Sequence, residues 1–160
     1  MRDNASVDIS ARVDYAVRAM LTLAQSAVED SAPISVEALA ADQQLPRKFL
    51  EEIFRDLRCA GLVVSTRGAR GGYRLQRPDD EIAIGDIFRA VEGPLAEVRG
   101  RRPHETSYDG VAKHLPTLWV AVRASLREVL DGTSLRALRT GDLPSAVTTL
   151  IALPDAWESR

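Results

Sequence analysis

Cysteine is nearly absent from this chain: Cys59 is the single thiol in 160 residues. One cysteine excludes an intramolecular disulfide framework and a multi-cysteine zinc site. Aromatic residues make up only 5% of the sequence, so the expected core is aliphatic. No apolar run approaches the roughly 18–20 residues of a membrane span. Residues 1–8, MRDNASVD, lack the cationic start and apolar stretch of a signal peptide. The chain therefore reads as soluble and cytoplasmic, with no membrane partner. Internal repeats and low-complexity tracts are missing as well. No Ser/His/Asp or Cys/His constellation is visible, and both histidines, His104 and His114, lie in one irregular segment. That composition points away from an enzyme.

What is present suits one globular domain with a short appended element: 45% hydrophobic residues in a chain of ordinary domain length. The net charge of −2 conceals an asymmetry. Residues 46–77 carry eight Lys/Arg against three acids, and the remainder carries thirteen against twenty. A local positive field recruits a polyanion more effectively than the total charge would suggest. An ordinary solvated basic face gives the same count, so charge alone does not decide.

Helical spacing of Val13, Ala16, Val17, Met20, Leu21 and Ala24 predicts a helix over 10–28 capped by Ser10. A second helix is expected over 35–44, with Ser35 as its N-cap and Val36, Leu39 and Ala40 inward. Leu45-Pro46 breaks the chain, and Pro46 suits a first helical position. The third helix, 46–60, turns Phe49, Leu50, Ile53, Phe54 and Leu57 inward and Arg47, Lys48, Glu51, Glu52, Arg55 and Arg58 outward. Gly61 stands where a left-handed C-terminal cap belongs. Arg47 and Lys48 occupy the first turn, where the helix dipole disfavours cations by some 0.3–1 kcal/mol each. An anionic partner would compensate them, although two exposed cations are also simply tolerable.

Two short β-rich runs, 62–65 and 73–76, flank the stretch STRGARGGYRL at 65–75. The glycines do not form a nucleotide phosphate loop, because no Lys-Ser/Thr pair follows them and a strand rather than a helix comes next. A hairpin whose tip carries Arg67 and Arg70 fits better, with Tyr73 and Leu75 facing the core. Helix, helix, short turn, helix and hairpin is the order of a winged helix-turn-helix, mainly α with a small β-hairpin wing. Downstream, IAIGDIFRAVE at 82–92 predicts a short strand and a helix ended by Gly93-Pro94. Residues 95–112 read as a long loop, followed by a long helix over 115–130. Its stripe of Leu115, Leu118, Trp119, Val122, Leu126, Val129 and Leu130 serves either a dimer or an intramolecular core. Short segments LRAL, AVTTLIAL and DAW complete the tail. The expected organisation is 8–78, 79–94, 95–114 and 115–160.

YAVRAMLTLA (15–24), ISVEALAADQQLPRKFLEEIFRDLRCAGLV (34–63), STRGARGGYRL (65–75), IAIGDIFRAVEGPL (82–95) and LWVAVRASLREVLDGTSLRAL (118–138) together carry a resemblance. The sequence resembles the winged-helix regulators of the IscR, NsrR and CymR type over residues 10 to about 138. RGxxGGYxL after a strand, combined with the AVEGP turn, is specific to that family. The resemblance implies a homodimer, a repressor on a roughly palindromic operator, with the 115–130 helices crossing between subunits. By position, Arg47, Lys48, Arg55 and Arg58 on the third helix would face the major groove of double-stranded DNA and Arg67 and Arg70 the minor groove. Tyr15 and Arg18 would support the domain or touch phosphate.

The sequence also departs from its relatives. Iron–sulfur members hold their cluster with three cysteines, and the corresponding loop here, 95–114, has none. No cofactor is therefore expected. His104 and His114, with Glu105 and Asp109, are the remaining conceivable metal ligands, at a spacing that matches no dedicated motif. Arg99, Arg101 and Arg102 suggest instead an acidic effector or DNA, and a partner protein remains an alternative signal. Cys59 reads as a packing residue or a redox switch, without a Lys or His beside it in sequence to lower its pKa. A different class of function, a protein-interaction module that regulates a metabolic enzyme on a winged-helix scaffold, also fits the same residues.

Overall fold

The structure, a computed structural model, describes residues 9–30 and 32–158. Residues 1–8, which lack the features of a signal peptide in sequence, and Ser31 lie outside the described residues.

Seven α-helices and one hairpin are found among them: α1 Ala11–Val28, α2 Val36–Gln43, α3 Arg47–Cys59, β1 Val63–Thr66, β2 Gly72–Leu75, α4 Ile84–Glu92, α5 Leu115–Gly132, α6 Leu135–Thr140 and α7 Ser145–Ile151. Short 3-10 turns at Pro103–Glu105 and Gly110–Ala112 interrupt the stretch expected to be irregular. None of the described helices is long and apolar enough to cross a membrane.

Side-chain caps set the starts of α1 and α2. The Ser10 hydroxyl accepts from the Val13 amide and that of Ser35 from the Ala38 amide, which occupies backbone donors that a helix leaves unpaired. Both helices of the tri-helical unit that lead into a turn end in the same way. Gln44 takes a left-handed conformation at φ 53°, and the Leu45 amide reaches back to Ala40 O at 2.9 Å. After α3, Gly61 sits at φ 71°, with Gly61 N–H bonded to Arg58 O and Leu62 N–H to Leu57 O, both at 3.0 Å. That pair of bonds is the Schellman pattern, and buried Leu45 and Leu62 supply the apolar contact that accompanies it. Pro46 is the cap of α3 rather than its first helical residue, a shift of one position that leaves its missing N–H equally harmless.

The core joins α1 (Val13, Ala16, Ala19, Met20, Leu23), α2 (Val36, Leu39, Ala40), α3 (Leu50, Ile53, Phe54, Leu57), Leu62 and Val63, α4 (Ile84, Ile87, Val91) and Leu135 of α6. Two sequence expectations shift. On α1 it is Ala19 and Leu23 that are buried, while Val17 and Leu21 are half-buried, because α4 and α6 widen the covered face beyond what α2 and α3 require. Phe49 is 36% exposed and lies at the rim, its ring edge-on to Tyr15 with centroids 5.7 Å apart.

The wing is fastened by a pairing that the hairpin pattern alone does not reveal. The strands pair Val63 with Leu75 through Thr66 with Gly72. Ile34, in the loop before α2, adds a bridge: its amide donates to Tyr73 O at 3.1 Å and Tyr73 N–H donates to Ile34 O at 2.8 Å. Tyr73 packs on Phe54 at a centroid distance of 4.5 Å, and Leu75 is half-buried, so both face the core as expected. The strand expected at 82–84 is a single bridge, Ala83 to Ser134. Its partner is the short link between α5 and α6, which has room for only one pair.

Arginine pairs hold the elements in register. Arg12 donates to Val91 O at 3.0 Å and to Asp56, joining α1 to both α4 and α3. Asp79, only 7% exposed, receives Arg136 on one oxygen at 3.0 Å and Arg139 on the other at 2.8 Å. Burial pushes its carboxyl upward, but the hydrogen bonds from Arg139 and Arg136 outweigh burial and hold it below the ordinary carboxylate range.

A carboxyl held low contributes stability above its unfolded pKa and loses it as pH falls through the folded one. Asp79→Asn is expected to lower stability at neutral pH by about 1.5–3 kcal/mol, the range for hydrogen bonds to charged groups. Denaturant unfolding as a function of pH should show the gap to wild type closing only below about pH 4, the ordinary Asp range.

Candidate nucleic-acid interface

The helix-turn-helix sets the geometry of the basic face. Leu50, Ile53, Phe54 and Leu57 are fully buried, and at 3.6 residues per turn their burial turns Lys48, Glu51, Glu52, Arg55 and Arg58 outward; all five are exposed. Lys48 and Arg58 form no ion pair among the described residues, and Arg55 meets only its neighbour Asp56, at 3.7 Å.

Arg47 differs from its expected role as an uncompensated cation. It pairs with Glu37 at 2.5 Å and with Glu51 at 2.9 Å. Glu37, in the first turn of α2, is held below the ordinary carboxylate range by its own backbone amide, then by Arg47 and Ser35. Two acids therefore answer the dipole penalty at Arg47, and Lys48 is left without an acid.

On the wing, Arg67 and Arg70 sit in the five-residue tip between β1 and β2, both exposed and without an acidic partner among the described residues. A turn bond, Gly71 N–H to Gly68 O at 2.9 Å, closes the tip, and Gly68 sits at φ 110°. Side chains are excluded at the next two glycines for lack of space. A Cβ on Gly71 would lie 2.3 Å from Thr66 O, and one on Gly72 would lie 2.5 Å from the carbonyl of Ile34. Arg74 was not singled out from sequence. It alternates outward from Tyr73 and Leu75 on β2 and is exposed and unpaired, which a strict period-2 reading of the strand would have found.

The other candidates separate by their partners. Arg18 donates to Gln43 O at 2.7 Å and to Gln43 Oε1 at 3.2 Å, so it ties α1 to the C-terminal end of α2. Tyr15 buttresses Phe49 at the start of α3. Arg18 thus steadies the pairing of α1 with α2, and Tyr15 braces the start of α3. Cys59 ends α3 and is exposed, which corrects its reading as a packing residue: the inward position of that last turn is taken by Leu57.

Along α5, Leu118 and Val122 are exposed at 53% and 43%, while Leu115, Trp119, Leu126 and Val129 are half-buried. No α5 residue is buried. The loop over 95–114 does not fit an iron–sulfur cluster. It has no cysteine, and no group of three His, Cys, Asp or Glu that could hold a metal ion occurs among the described residues. His104 presents Nδ1 to the Arg123 guanidinium at 3.0 Å, a cation where a metal would have to bind, and His114 stands exposed at the start of α5.

Three packed helices, a left-handed turn before an amphipathic third helix and a glycine-tipped basic hairpin define a winged helix-turn-helix DNA-binding protein. Residues 9–140 match the Rrf2 family, described as an iron-dependent transcriptional regulator. A provisionally named HTH-type transcriptional regulator of Mycobacterium tuberculosis is 43% identical over 142 residues, covering 89% of this chain and 87% of that protein. CymR of Bacillus subtilis, whose solved structure is described as that of the global cysteine regulator, superposes with a TM-score of 0.70 at 36% identity, over 85% of this chain and 98% of that one. IscR of T. potens superposes at 0.67 with 35% identity, over 86% and 89%. This chain belongs to the Rrf2 family of transcriptional regulators.

Gly72→Ala should force the wing away from Ile34 and cost about 1–3 kcal/mol, as overpacking of a close contact does. Hydrogen exchange should show the Ile34 and Tyr73 amides losing protection ahead of the helices.

Proposed function

We propose that the protein is a homodimeric repressor that binds a roughly palindromic operator, placing α3 in the major groove and the Arg67–Arg70 tip at the adjacent minor groove. The observation that carries this reading is the sorting of charge. Lys48, Arg58, Arg67, Arg70 and Arg74 are exposed without acidic partners among the described residues, whereas Arg12, Arg18, Arg136 and Arg139 are spent on internal ties. Unpaired cations on one helix and one hairpin tip suit phosphates and guanine edges. The narrow minor groove, where the negative potential is strongest, suits the arginines of the tip. Arg47 and Arg55 join this face in a secondary role, since each already meets an acid.

The exposed Leu118 and Val122 on α5 supply the dimer contact, extended by the half-buried Leu115, Trp119, Leu126 and Val129 at its edges. The signal is one other than an iron–sulfur cluster held by three cysteines. No catalytic step belongs to this reading.

Titration of labelled promoter DNA from its own gene, read by fluorescence anisotropy across salt concentrations, tests it. Lys48→Ala and Arg67→Ala are each expected to weaken binding by about tenfold and to reduce the salt slope by about one. Equal affinity for random DNA would sink the proposal. Leu118→Glu with Val122→Glu should convert the dimer to monomer in sedimentation velocity and weaken operator binding, because half-site avidity is lost.

A further inference from the structure

The cleft between the end of α4, the turn after it and α5 collects positive charge that the DNA-binding reading does not use. Its volume is about 580 Å³, and Arg89, Arg102, His104, Arg123, Arg127 and Asp131 are its charged and polar lining. Four arginines face a single acid there, in a chain of net charge −2. Asp131 is shared: Arg89 reaches one oxygen at 2.8 Å and Arg127 the other at 3.4 Å. Arg89 also holds Asp86 at 2.9 Å. The guanidiniums of Arg102 and Arg123 have no acidic partner among the described residues, although the Arg102 backbone amide donates to Glu105 at 3.1 Å.

His104 completes the arrangement. A guanidinium can only donate, so the Nδ1 atom that meets Arg123 at 3.0 Å is the acceptor and the ring proton is on Nε2. That Nε2 atom lies 3.9 Å from Glu105 Oε1, so the donors left open towards the cleft are those of the Arg102 and Arg123 guanidiniums.

We propose that this cleft binds a small oxyanion carrying at least two negative charges, a polycarboxylate or a phosphate, held chiefly by Arg102 and Arg123. Two guanidiniums without acids match the bidentate geometry of such groups. The volume is that of a small-molecule site. Gly93, Pro94, Leu95 and Ala96 form the apolar wall.

The site adjoins the reading helix through one layer. Arg89 is on α4, α4 packs on α3, and Arg12 links Val91 O of α4 to Asp56 of α3. An effect of the anion on DNA affinity rests on the reading in the preceding subsection. Binding of the anion does not, and it is measured without DNA so that the two can fail separately.

The experiment is calorimetric titration of the full chain with citrate and with inorganic phosphate, each against sodium chloride at matched ionic strength. Saturable binding of at least one of them is expected, with a Kd in the range of roughly 10 µM to 1 mM. Preference for citrate or phosphate identifies which oxyanion source the site takes. Arg102→Gln with Arg123→Gln should weaken it by at least about tenfold. Arg102→Gln alone, at an exposed position, should weaken it in the same direction without loss of thermal stability. Arg67→Gln with Arg70→Gln on the wing should leave it unchanged. No saturable heat with either probe up to about 10 mM, an equal response to chloride, or equal loss in the wing variant would each overturn the proposal.

Discussion

Burial of one face of α3 is the constraint on which the rest depends. Leu50, Ile53, Phe54 and Leu57 are fully enclosed, at about 1.5–3 kcal/mol for each large apolar side chain. Burial decides the rotation of the helix, and it outweighs the cost of about 0.3–1 kcal/mol that Lys48 bears at the positive end of the helix dipole. Phe54 then presents its ring to Tyr73, which aligns β2 for pairing with Ile34. The wing therefore stands where it does because α3 is buried as it is. The basic residues of helix and hairpin are brought to the surface by the same packing.

Charge is sorted by partner rather than by sign. Arg12, Arg18, Arg136 and Arg139 resemble the exposed arginines in sequence, yet they end on carboxylates or on helix-terminal carbonyls and hold α1 to α2, α3 and α4, and α6 to the loop before α4. Gly85 shows how closely this is built. A Cβ there would stand 1.9 Å from the Asp131 carboxylate, so the glycine in IAIGD makes room for the acid that engages Arg89. Burial lowers the pKa of Arg89, but the hydrogen bonds it donates to Asp131 and Asp86 outweigh it, and the guanidinium is held above its ordinary value.

Most of the DNA-binding unit was legible because its signals are local. The Ser10 and Ser35 caps, the Gly61 turn, the apolar period of α3 and the alternation of Tyr73 and Leu75 depend on neighbours within a few residues. The Rrf2 membership implied by RGxxGGYxL and AVEGP was equally readable, since those motifs follow the turns they build. What was missed depends on distant pairings. The Ile34–Tyr73 bridge joins segments about forty residues apart, and the Asp79 site draws on arginines 57 and 60 positions away. The strand read at 82–84 and the packing role read for Cys59 failed for a similar reason. Each needed to know which neighbour had already taken the place.

The sequence by itself determined the element order, the caps, the amphipathic rotation of α3, the glycine tip of the wing and the lack of cysteine ligands in the 95–114 loop. These follow from backbone and side-chain preferences that act over one or two turns. Only the tertiary structure decided which cations are free. A charge is neutralised by whichever acid the fold brings within a few ångströms. Arg47 was thus paired by Glu37 from another helix, Lys48 beside it was not, and Arg89, Arg102, Arg123 and Arg127 from three separate segments came to line one cleft.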